Sequence, residues 1–111
     1  MNKLTAIAAL TPLFIGMGQA HADDQLLKEV NISKVYTNQI SEHSGKASAA
    51  ISAGDYASGC TEGQLTIRYM DLLKDQGGRN STIKVLSADL LSSYDAIVRA
   101  TLAVCHAAGK S

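Results

Sequence analysis

No proline follows Pro12, and that absence constrains the chain more than any motif it contains. All-β domains turn often, and proline and glycine populate those turns. Here a long proline-free stretch shows no sustained two-residue alternation. Its apolar residues recur instead at helical spacing. The expected fold class is therefore all-α: a small helical bundle of three long helices and one short one.

The spacing predicts a first long helix over residues 24–43, with Asp23 and Asp24 at its start, where negative charge suits the helix dipole. Its stripe is Leu26, Val30, Tyr36 and Ile40, with Leu27 and Val35 beside it. Ser44-Gly45 reads as a break or a kink, and a short Ala/Ser-rich helix follows over 46–53. Gly54-Asp55 reads as a helix stop and a new N-cap. The second long helix spans 56–76, with Tyr56, Cys60, Ile67 and Met70 on one face and Leu65, Tyr69, Leu72 and Leu73 on the other. A helix apolar on two sides belongs in the centre of a bundle. Gly59 and Gly63, four apart, leave two readings open: a close approach by a neighbouring element, or a loop over 57–63 with the helix starting near Glu62. Residues 76–80, Gln-Gly-Gly-Arg-Asn, read as a loop. The third long helix starts at Ser81 or Thr82, or with Ser87 as cap, and runs to Ala108. Leu86, Leu90, Tyr94, Ile97, Thr101 and Cys105 form its stripe, and Gly109 stops it.

Residues 1–22 are expected to be a cleaved secretory signal peptide. Lys3 supplies the positive start, Leu4 to Met17 is uncharged and mostly apolar, and Ala20-His21-Ala22 fits the small-residue cleavage pattern. The apolar run is shorter than the roughly 20 residues that span a bilayer. Cleavage leaves a single domain over 23–111 with no membrane span, bound for the periplasm or for release. That domain carries nine basic and ten acidic side chains. Its only aromatic residues are Tyr36, Tyr56, Tyr69 and Tyr94.

A domain this small has a marginal core and benefits from a covalent staple. Both cysteines, Cys60 and Cys105, fall in the exported part, so one disulfide is expected. The loop it closes, 45 residues, is worth about 4 kcal/mol by chain entropy. An antiparallel hairpin of the second and third long helices brings the cysteines level only with some helix irregularity or a tilted crossing near 81–87 or 57–63, because a straight helix from Ser81 overshoots.

Near-zero net charge speaks against a nucleic-acid binder, which carries a basic excess. His43 and His106 sit at the expected ends of helices, where they read as solvated side chains. No H-x-x-x-H or C-x-x-C supports a metal site, and Leu102 rules out the C-x-x-C-H of covalent haem. No cofactor is expected. Serines occur in neither G-x-S-x-G nor S-x-x-K, and Asp71 with Asp75 reads as an exposed i,i+4 pair. The functional expectation is therefore an exported protein without catalytic activity that binds a protein partner, foremost an inhibitor or immunity-type protein. An acid-activated periplasmic chaperone or an accessory subunit of a secretion or surface assembly are the alternatives. The sequence leaves the partner-binding surface unknown: Tyr36, Tyr56, Tyr69 and Tyr94 all fall near the buried stripes and are expected half-buried with their hydroxyls at the rim, and the alternative surface is the loop over 76–81 with Lys74 and Lys84 beside it.

Overall fold

The computed structural model describes the backbone of residues 17–109 and the side chains of 24–109. Within these residues the only regular secondary structure is helix, in four segments: α1 (Met17–Ser52), α2 (Tyr56–Arg79), α3 (Ser81–Leu91) and α4 (Tyr94–Ala107). Residues 1–16 of the expected leader lie outside the described residues. The α1 backbone is already helical through 20–22, where cleavage is expected. None of the described helices is long and apolar enough to cross a membrane. The chain divides into two compact units, Met1–Asn31 and Ile32–Ser111. The described part of the first is the opening of α1, where Gln25 reaches Glu29 one turn on. The second holds the rest of α1 and the other three helices.

In the Ile32–Ser111 unit the buried positions recur every seven residues. Ser33, Ile40 and Ala47 form the set on α1; Gly59, Thr66 and Leu73 form one on α2, and Gly63, Met70 and Gly77 another. A seven-residue repeat keeps one seam of a helix facing its neighbours. Helix α2 carries two such seams and packs against both α3 and α4, so it is central, as expected. Its buried side chains form one broad face. Met70 and Leu73, expected on opposite faces, are both fully buried, whereas Leu65, Ile67 and Leu72 are only partly covered. Together with Ile83 of α3, Met70 and Leu73 contribute about 1.5–3 kcal/mol each by burial.

The element boundaries differ from expectation at three places. Ser44-Gly45 does not break α1: the chain stays helical because Ile40, His43 and Ala47 lie on one stripe across it. Residues 76–79 are not a loop. Helix α2 continues through Gly77-Gly78 to Arg79, with Gly77 buried against α3, where a Cβ would lie 3.2 Å from Lys84 Cα. The turn shrinks to Asn80 alone, whose side chain accepts from the backbone N–H groups of Thr82 (3.0 Å) and Ile83 (3.2 Å) and so caps α3. The last expected helix is split at Ser92-Ser93. Their hydroxyls donate back to the carbonyls of Asp89 and Leu90, competing with the helical ladder. The split also changes the stripe: Ile83 and Ser87 are buried in place of Leu86, which faces solvent.

Gly54 and Asp55 behave as read. Gly54 adopts φ +78°, and the Asp55 N–H donates to the Ala50 carbonyl at 2.8 Å while that of Gly54 donates to Ile51 at 3.0 Å. This pair of bonds closes α1 in a Schellman motif. Asp55 then caps α2 by accepting from the Ser58 N–H at 3.1 Å; hydrogen bonding from the Ser58 side chain first, and from this backbone N–H second, holds its carboxyl below the usual range.

Candidate functional site

Cys60 of α2 and Cys105 of α4 are bonded, with an S–S distance of 2.00 Å and Cα atoms 4.7 Å apart. Cys60 stands 20 residues before Asn80 and Cys105 stands 25 after it. The five-residue excess, about 7.5 Å of helix, is taken up at the Ser92-Ser93 break rather than near 81–87 or 57–63. Residues 57–63 are helical, and both glycines there mark close approaches. A Cβ on Gly59 would lie 3.0 Å from Ile51 Cγ1 and 3.2 Å from Val104 Cγ1, and one on Gly63 would lie 2.6 Å from Thr101 Oγ1.

Beside the disulfide a cleft of about 140 Å³ opens between α1, α2 and α4. Ala47, Ile51, Ile97, Ala100 and Val104 form its apolar walls. Ser44 and Ser48 line the α1 side, and Thr66 and Thr101 contribute hydroxyls. No charged side chain lines it.

A polar cluster joins α1 to α2. His43 Nδ1 lies 2.6 Å from Glu62 Oε1, and since a carboxylate only accepts, the ring nitrogen is the donor. Nε2 pairs with the Gln39 side chain at 3.2 Å. The His43 ring stacks on Tyr69, with centroids 5.8 Å apart and planes 5° from parallel, and Tyr69 in turn meets Tyr36 at 6.3 Å. The His43 and Glu62 side chains are 13% and 23% exposed. His43 is thus not a solvated helix end. It lies in mid-helix on the buried stripe, three residues after Ile40. His106, by contrast, is exposed in the last turn of α4.

The short helix α3 is unusual in what it exposes. It holds Val85, Leu86, Leu90 and Leu91, yet the residues it buries are Ile83 and Ser87. Val85 is 75% and Leu86 63% exposed, while Leu90 and Leu91 are half-buried. The Ser87 hydroxyl is satisfied by the Ile83 carbonyl at 2.7 Å.

The remaining candidates are scattered. Asp71 and Asp75 stay on the exposed side of α2, and Asp71 accepts the Tyr94 hydroxyl at 2.6 Å. Lys74 sits over the Tyr94 ring, 4.4 Å from its centroid. Tyr36, Tyr69 and Tyr94 are half-buried as expected, whereas Tyr56 is exposed. The surface expected over 76–81 is not available as a loop, since Gln76 and Gly77 are buried in α2. Among the described residues, no group of three or more His, Cys, Asp or Glu is placed to hold a metal ion. Comparison of the chain with protein-family models, with curated proteins and with solved structures finds no match.

Proposed function

We propose that this chain is an exported, periplasmic binding protein without catalytic activity, acting as an inhibitor or immunity-type protein on a protein partner. The observation that carries the reading is helix α3. A helix of 11 residues spends its two buried positions on Ile83 and Ser87 and leaves Val85 and Leu86 adjacent in solvent. Isolated surface aliphatics are ordinary, but a contiguous apolar patch on a small domain favours a partner contact. Asn80 caps this helix and Gly77 sits tightly against it. The disulfide secures α4, which follows α3 in the chain, to α2. A surface that is already ordered loses little entropy on association.

The test is a pull-down from periplasmic extract with the oxidised chain, set against a Val85→Glu, Leu86→Glu variant. Both substitutions lie at exposed positions, so circular dichroism should be unchanged while the partner is lost. Failure to retain any partner at micromolar concentration refutes the reading. Suppression of client aggregation at low pH in its place would establish the chaperone alternative.

A further inference from the structure

We propose that the uncovered face of α2 is a self-association surface, on which a second copy of this chain lays its own α2 in antiparallel register. Helix α2 is apolar on two sides, and the fold covers only one of them. Met70, Leu73 and Gly77 are buried, whereas Leu65 and Leu72 are only partly covered. On the uncovered side Thr61, Leu65, Arg68, Leu72, Asp75 and Arg79 follow one another at alternating steps of four and three residues. That spacing holds a stripe on one side of a helix and is the spacing of a seam between two helices. An open groove of about 520 Å³ runs along it, lined by α2 residues alone.

The charges on the stripe select the occupant. Arg68 stands four residues before Leu72 and Asp75 stands three after it. Both are exposed, and among the described residues neither makes an ion pair or a hydrogen bond. A two-fold axis at Leu72 pairs each residue before it with one equally far after it on the other copy. Leu72 then meets Leu72 of the second copy. Arg68 comes within one residue, about 1.5 Å of helix rise, of Asp75 on the second copy, and symmetry makes this ion pair twice. Leu65 lies level with Arg79 of the second copy, whose methylene stem can cover apolar surface while its charge stays in water. A parallel pairing would set Arg68 against Arg68 and Asp75 against Asp75, and like charges so placed are disfavoured. The stripe is therefore complementary to itself in the antiparallel orientation. Gly77, which is buried against α3, lies five residues on from Leu72, about 140° around the helix. The contact thus leaves Val85 and Leu86 of α3 free and does not depend on the partner proposed for them.

Sedimentation equilibrium of the full oxidised chain, from micromolar to near-millimolar concentration, should show a mass rising to twice that of one chain. Arg68→Asp and Asp75→Arg should each weaken self-association by at least about tenfold, because each sets like charges against one another twice. Circular dichroism should be unchanged in both, since the two positions are exposed. The double variant Arg68→Asp, Asp75→Arg exchanges the two charges and should regain the dimer, a recovery that loss of folding in the single variants could not produce. A mass that stays at one chain across the whole concentration range overturns the proposal, as when a different protein occupies this face. Self-association that neither single variant weakens overturns it too, and so does a double variant that remains monomeric.

Discussion

Replacing Gly63 by alanine sets two opposing effects against each other, and the structure decides between them. Alanine is favoured over glycine in a helix interior by about 1 kcal/mol. At Gly63, however, the new Cβ would lie 2.6 Å from Thr101 Oγ1, 2.9 Å from its Cγ2 and 3.3 Å from its Cβ. Rotating Thr101 relieves one γ atom by bringing the other closer. Retreat of α4 is opposed by the disulfide, which holds Cys105 one turn beyond Thr101 to Cys60, three residues before Gly63. Overpacking of this kind costs about 1–3 kcal/mol, so Gly63→Ala should destabilise by up to about 2 kcal/mol once the propensity gain is subtracted. Gly45 is the control. It is also helical, but nothing lies within 4 Å of a Cβ built there, so Gly45→Ala should stabilise by about 1 kcal/mol. Urea denaturation of the oxidised proteins, followed by far-UV circular dichroism, should move the two midpoints in opposite directions. A Gly63→Ala midpoint raised alongside that of Gly45→Ala would refute the close approach of α2 and α4 on which the reasoning rests.

Reducing the Cys60–Cys105 bond should lower stability by about 4 kcal/mol, read as a large drop in thermal midpoint with added reductant; an unchanged midpoint contradicts it. A double-mutant cycle on His43→Ala and Glu62→Ala should return a coupling of about 1.5–3 kcal/mol, as for a hydrogen bond to a charged group. Additive effects would mean that the pair contributes nothing to holding α1 on α2. Tyr94 should ionise above the usual tyrosine value, because its hydrogen bond to Asp71 favours the protonated phenol, with desolvation and the charges of Asp71 and Asp95 adding to it. The pKa is raised on folding, so this contribution to stability is intact below the usual value and is lost as pH rises through the higher one. Phenolate absorbance should show one tyrosine titrating late, and Asp71→Asn should bring it down.

Local chemistry was legible wherever a residue imposes its own backbone geometry. Gly54 and Gly109 both adopt φ +78°, as a helix stop requires, and Asp55 caps α2 through its own carboxylate. The pairing of Cys60 with Cys105 followed from their number and from the expectation of export. The misreadings share one cause. At Gly45 and Gly77 the glycines permit a break without demanding one, and the decision lies with packing partners distant in sequence. Continuity of the buried stripe keeps α1 whole, and Gly77 stays in α2, buried against α3. The Ser92-Ser93 split leaves only two serines as its signature, a pattern too common to distinguish. His43 was lost with the Gly45 reading: ending the first helix there removed it from the face it shares with Ile40, although its seven-residue spacing from Tyr36 was present throughout.

The covalent link between α2 and α4 has a mechanical consequence. It divides the polymer into a closed ring, residues 60–105, and two free arms, and α1 belongs wholly to an arm. Tension applied at the two ends travels along α1, crosses the sulfur bridge and leaves through the last residues of α4. The segment between the cysteines is bypassed and never feels the load. At about 3.5 Å per residue, the oxidised chain should therefore stop extending about 150 Å short of the reduced one. Any machine that threads this protein by pulling on its N-terminal arm would strip α1 first, then meet a loop that must pass as a doubled strand or not at all.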